Sequence, residues 1–172
     1  MPCRRRNAFT SRSLRGGALL DIGVYGINFA MMHFGEEIER MESSVHMMDT
    51  GVDGMESITM FFKGGRMAVL THSIYGRSDR KGIFYGDNGY MVVENINNPQ
   101  SISVYDQEDN LLKFIAVPEQ ITGYEYQFAE SAECIAKGQL ESNSMPLADS
   151  VKVMQVMDAL RKQWGMVYPQ EK

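Results

Sequence analysis

A chain of 172 residues, 44% hydrophobic and 23% charged, has the length of one domain and enough apolar content to bury a core. Its formal net charge of -5 argues against nucleic acid or an anionic membrane surface as the main partner, because both reward clustered positive charge. Cys3 and Cys134 stand too far apart in sequence to suggest a disulfide framework or a metal site, and no run approaches the roughly 20 apolar residues that span a bilayer, so the composition fits a reducing cytoplasm.

Met1 to Arg15 is polar and arginine-rich without periodicity, which predicts a loop or disordered arm, and the arginines Arg4, Arg5, Arg6, Arg12 and Arg15 read as a solvated tail. Asp21 cuts the apolar run after them too early for a secretory signal. A first helix is expected from about Gly17 to Phe34, with Gly35 supplying the left-handed residue at its end. Gly16, Gly17, Gly23 and Gly26 are poor helix formers, so their presence calls for backbone that closely approaches a neighbour or a ligand. Asp21 and Tyr25 stand four apart on this helix and would lie one above the other, able to converge on one ligand, with apolar neighbours hiding that face from water.

The pattern then changes to strands. Ile58, Met60 and Phe62 alternate, Lys63-Gly64-Gly65-Arg66 makes a hairpin turn, and Met67 to Ile74 returns. Further strands are expected at Gly82 to Tyr85, Tyr90 to Glu94, Ser101 to Tyr105 and Leu111 to Ile115, the last two joined by a turn at Asp106 to Asn110. Consecutive hairpins imply a largely antiparallel sheet. Two helices close the chain, from Tyr126 to Lys137 before Gly138 and from Leu147 to Trp164 before Gly165. The order gives an α+β fold, an open and largely antiparallel sheet with helices on one face.

Gly16-Gly17-Ala18-Leu19-Leu20-Asp21-Ile22-Gly23-Val24-Tyr25 resembles the active-site helix of the glucose-fructose oxidoreductase, inositol dehydrogenase and MocA family of NAD(P)-dependent oxidoreductases. The likeness continues through Tyr85-Gly86-Asp87-Asn88-Gly89-Tyr90, Gly123-Tyr124-Glu125-Tyr126, Glu133 to Gly138, Met145-Pro146-Leu147 and Tyr168-Pro169-Gln170. With tyrosine at position 25, where many members carry histidine, the chain is similar to the branch containing dimeric dihydrodiol dehydrogenase and NADP-dependent xylose dehydrogenase. The resemblance implies that residues 16–172 form a C-terminal substrate and dimerisation domain, a homodimer built through the open sheet face, and a sugar or cyclic polyol substrate. It also implies that Tyr25 moves the substrate proton while Asp21 and Tyr126 bind substrate.

Each of these residues has a plainer role open to it. A phenol ordinarily titrates at about 10, so proton transfer at neutral pH needs help, which the family resemblance places on a lysine in a nucleotide-binding domain. Without that help Tyr25 is a packed tyrosine, Asp21 a carboxylate complementing a helix N-terminus, and Tyr126 a packing aromatic. His33, His46 and His72 lack metal-ligand spacing and read as surface or satisfied core histidines, so no metal is expected. The sequence holds no Gly-x-Gly-x-x-Gly turn to receive a pyrophosphate. The expectation is therefore a C-terminal part lacking its Rossmann domain, which uses NAD or NADP only in the complete enzyme. The alternative is a non-catalytic dimerisation or small-molecule-binding domain on the same scaffold.

Overall fold

Backbone hydrogen bonding in the computed structural model, which describes residues 10–14 and 16–171, sorts seven strands into two antiparallel sheets. Met1 to Phe9 and Arg15 lie outside the described residues, and with them Cys3, the run Arg4 to Arg6 and part of the expected arm. The chain divides into two compact units, Met1–Arg77 with Ala148–Lys172, and Ser78–Leu147.

In the first unit, β1 (Ile38–Met47), β2 (Asp53–Phe62) and β3 (Arg66–Ser73) pair in sequence order. The turn between β2 and β3 is possible because Gly64 and Gly65 both take positive φ, 83° and 78°, which costs a glycine little. Alternation along β2 sends Glu56, Ile58, Met60 and Phe62 to one face. There they meet Leu19, Ile27, Ala30 and Met31 from the first helical stretch and Val153, Val156, Met157 and Leu160 from α3 (Leu147–Gln163), forming the main core. Both helices thus cover one face of this sheet, while Met55, Met67 and Val69 on the other remain exposed.

The expected first helix is broken in character. Leu19–Gly23 is a π-helical stretch, with Val24 N–H reaching back to Leu19 O, and α1 (Val24–Phe34) continues from it to Gly35 at φ 86°. Of the expected arm, Arg12–Leu14 makes a 3-10 turn, and Arg12 donates to Val167 O at 3.1 and 2.6 Å. That contact ties the start of the described chain to its end.

The second unit contains β4 (Gly82–Gly86), β5 (Gly89–Val93), β6 (Ser101–Tyr105) and β7 (Leu111–Ala116), again paired in order, followed by α2 (Glu125–Ala136). The strand register brings Tyr85, Tyr90 and Tyr105 into one row across the sheet, with Tyr90 and Tyr105 stacked at 4.9 Å. Phe114 and Ile83 share that face and are exposed. The open, antiparallel α+β arrangement expected from sequence is present, with its strands divided between two sheets. The eight residues between Ser73 and Gly82 contain an Arg-Ser-Asp-Arg-Lys run whose polar side chains favour solvent over a continuing ladder. No described helix is long and apolar enough to cross a membrane.

Leu160 is wholly buried at the α3–sheet contact. Leu160→Ala should lower unfolding free energy by roughly 2–5 kcal/mol, read as a lower urea midpoint.

Candidate active site

The glycines of the first helical stretch are explained by what lies beneath them. Pairing of β2 with β3 sets Glu56 opposite His72 on the inward face, and His72 Nδ1 lies 3.1 Å from Glu56 Oε1. Asp53, at the start of β2, accepts the Leu19 N–H on Oδ2 at 2.6 Å. A Cβ on Gly17 would collide with Asp53 Oδ1, one on Gly26 would collide with His72 Nε2, and one on Gly23 would stand 3.2 Å from Glu56 Oε1. Each glycine faces one member of a buried polar trio, so the close approach expected from sequence is to a neighbour.

The other end of the chain adds a second hold. Tyr168 is buried and gives its hydroxyl proton to Gly16 O at 2.9 Å, while Arg161 lies over the Tyr168 ring and bonds both oxygens of Glu171. The Glu171 and Asp158 carboxylates raise the affinity of the Arg161 guanidinium for its proton. Gln170 Nε2 also donates to Ser13 O at 2.7 Å.

With its inner side fixed by these contacts, the helical stretch turns Asp21 and Tyr25 outward. Tyr25 is 50% exposed and Asp21 is also exposed, whereas Gly23, Gly26, Ile27 and Ala30 are buried. Neither side chain hydrogen-bonds to another described residue. The expectation that apolar neighbours hide this face is corrected: Leu19, Ile27 and Ala30 are taken up by the core on the opposite side. The phenol and the carboxylate are open to an incoming molecule.

Tyr126 belongs to the Ser78–Leu147 unit, on the first turn of α2, and is 51% exposed. Its neighbour Glu125 does the structural work there. The carboxylate accepts N–H groups from Ile121 at 2.8 Å, Thr122 at 2.6 Å and Gly123 at 2.9 Å, together with the Thr122 hydroxyl. These donors, the Thr122 N–H foremost, lower its pKa from 4.5 to about 2. The loop before α2 is thereby closed on a charge and sets where Tyr126 begins. In the same unit Pro99, Gln100, Val117, Pro118, Glu119 and Gln120 line a pocket of about 350 Å³, which holds none of the residues singled out from sequence.

Among the described residues, no group of three His, Cys, Asp or Glu side chains is placed to hold a metal ion. His72 is a core histidine with a partner, His33 is exposed with Nδ1 at 2.8 Å from Phe29 O, and His46 packs on the Tyr75 ring at 5.9 Å. Asp53 and Glu56 did not figure among the residues picked out by sequence.

One face of the first sheet is thus covered by a helix that offers a phenol and a carboxylate to solvent, within an α+β fold. The 3-ketoreductase of Actinomadura kijaniata, solved with NADP and TDP-benzene, matches the fold with a TM-score of 0.77 at 21% identity, over 94% of this chain and 50% of that one. The aldose-aldose oxidoreductase of Caulobacter crescentus matches with 0.73 at 20% identity, over 91% and 48%. In sequence, the trans-1,2-dihydrobenzene-1,2-diol dehydrogenase of Danio rerio is 35% identical over 170 residues, 93% of this chain and 50% of that protein. The NADP(+)-dependent scyllo-inositol 2-dehydrogenase IolU of Bacillus subtilis is 31% identical over 163 residues, 95% and 48%. The GFO/IDH/MocA C-terminal domain pattern matches residues 1–92. The chain belongs to the GFO/IDH/MocA family through this C-terminal domain, and it spans about half the length of the curated relatives it matches.

Because the Glu125 pKa is depressed on folding, its contribution to stability is present above the unfolded value of 4.5 and is lost as pH falls toward 2. Glu125→Gln should therefore flatten the loss of stability over that acid range and speed amide exchange at Thr122 and Gly123 at neutral pH. Acid titration followed by circular dichroism, with hydrogen exchange, measures both.

Proposed function

We propose that this domain is the substrate side of an NAD(P)-dependent oxidoreductase that interconverts a hydroxyl and a carbonyl on a sugar or cyclic polyol. The observation that carries the reading is the outward, solvent-open placement of Tyr25 and Asp21 on a helix whose inner face is locked to the sheet. The relatives' names support it, since they include dehydrogenases of a diol and of an inositol.

The roles follow from side-chain chemistry. Tyr25, as its phenolate, takes the hydroxyl proton as the substrate carbon gives up a hydride, and as the phenol it returns that proton in the reverse direction. Asp21, one turn away, accepts a hydrogen bond from a substrate hydroxyl and so orients the ring. Tyr126, taken within its own unit, presents an exposed phenol suited to hydrogen-bonding a sugar hydroxyl. NAD or NADP, when bound, supplies the hydride acceptor or donor. The sequence contains no Gly-x-Gly-x-x-Gly turn of the kind that receives a dinucleotide pyrophosphate.

The chain by itself should show no NAD(P)-dependent turnover with a panel of aldoses and polyols. Joined to the half of the Danio rerio relative that it does not match, it should show turnover that Tyr25→Phe reduces by roughly 10²–10⁴ without changing the thermal midpoint. Full turnover in that variant would instead favour a non-catalytic binding or dimerisation domain.

We further propose a homodimer through the exposed sheet face of the second unit. Ile83, Tyr85 and Phe114 project from one side of that sheet and are 45%, 81% and 60% exposed, a row of apolar side chains open to a second copy. Sedimentation should give twice the chain mass, and Phe114→Glu should return it to the mass of one chain.

A further inference from the structure

Asp53, Glu56 and His72 take no part in the chemistry assigned to Tyr25, Asp21 and Tyr126, yet they are the most deeply buried set of ionisable groups among the described residues. Their exposures are 0%, 2% and 9%. Counting lone pairs leaves a deficit. Asp53 Oδ2 accepts the Leu19 N–H and Glu56 Oε1 faces His72 Nδ1, but Asp53 Oδ1 and Glu56 Oε2 are buried with no donor. Both carboxyls lie beneath the same helical stretch, Asp53 against Gly17 and Glu56 against Gly23.

Two ionised carboxylates in contact would suffer both desolvation and mutual repulsion. One proton between them removes the repulsion and satisfies both orphaned oxygens. Its location follows from the surrounding donors. Asp53 is served by backbone at Leu19 and Ala18, which favours its ionised form, whereas Glu56 meets only His72 and Asp53.

We propose that Glu56 is held as a neutral acid that donates its proton to Asp53 Oδ1 and accepts from His72 Nδ1–H, and that this three-residue chain is the positioning device for the helix carrying Tyr25. The device acts through shape as well as bonding. Gly17 rests on Asp53, Gly23 on Glu56 and Gly26 on His72, so the spacing of the trio fixes the π-helical stretch and the first turn of α1. The positioning role toward a catalytic Tyr25 rests on the function proposed above. The location of the proton does not.

The titratable groups facing Asp53 and Glu56 are each other from β2 and His72 from β3. From the helical stretch they meet backbone at Ala18 and Leu19, while Asp21 and Tyr25 are exposed. Tyr75, after β3, stands against Gly54, and Tyr168 directs its hydroxyl to Gly16 O. Burial raises the pKa of both carboxyls above the ordinary range. The folded chain therefore binds a proton that the unfolded chain releases, so this contribution is full below the ordinary glutamate range and is lost as pH rises through the raised value.

Glu56→Gln tests this directly, because an amide reproduces a neutral acid: Nε2–H replaces the donated O–H, and Oε1 still accepts from His72. Infrared spectra of the full chain with ¹³C-labelled glutamate should show one carboxyl that stays protonated above the pH at which exposed glutamates ionise, and E56Q should lack it. E56Q should keep the amide-exchange protection of Leu19 and Tyr25 near that of the parent and flatten the decline of thermal midpoint with rising pH. Glu56→Ala, which orphans Asp53 Oδ1 and His72 Nδ1, should lose at least about tenfold in that protection. Absence of a protonated glutamate in the parent chain, or equal loss of protection in E56Q and E56A, would overturn the proposal. The parent spectrum decides even where a variant does not fold, and no readout uses turnover, so a negative Tyr25→Phe result leaves this test intact.

Discussion

The hydrogen bond from Leu19 N–H to Asp53 Oδ2, made in a site closed to water, is the contact on which the geometry of the face carrying Asp21 and Tyr25 depends. It joins the first turn of the helical stretch to the first residue of β2, two segments 34 positions apart in sequence. Removing an acceptor from a buried N–H costs about 1–3 kcal/mol, more than most surface contacts contribute. Glu56, His72 and the glycines extend the same contact along the next two turns. Tyr25 needs no direct partner to be well placed, because its backbone is held from behind.

This arrangement separates two tasks that often compete on one surface. The inner side of the helical stretch is polar, buried and crowded, and it is served by residues that never reach the outward face. The outer side carries Asp21 and Tyr25 in the open. A π-helical stretch at that point is in keeping with the pattern, since a wider turn lets the backbone settle over the trio where a tighter one would lift it away.

Much of the architecture was legible from periodicity and punctuation. Lys63-Gly64-Gly65-Arg66, Asp87-Asn88-Gly89 and Asp106 to Asn110 each mark a hairpin, and Gly35, Gly138 and Gly165 each follow a helix with positive φ. The crowding around Gly17, Gly23 and Gly26 was legible too, as a demand for a close neighbour. Its identity was not, although a signal existed. Glu56 lies in phase with Ile58, Met60 and Phe62, so a period-two reading places a carboxylate on the buried face, where it must find a partner. His72 became that partner through strand register, which no local pattern reveals. Two sheets rather than one, and the exposure of Tyr25, likewise follow from long-range packing.

The anchoring of Gly16 by Tyr168 has a practical consequence for handling the chain. The last few residues are held to the segment before Leu19 by the Tyr168 hydroxyl, by Gln170 on Ser13 and by Arg12 on Val167 O. Trimming by a carboxypeptidase, or an affinity tag fused where the tail must fold back, acts more than 140 positions upstream of the altered residues, at the entry to the Tyr25 helix. The segments around Gly16 and Tyr168 form one mechanical element, and an alteration to either is felt at the same place.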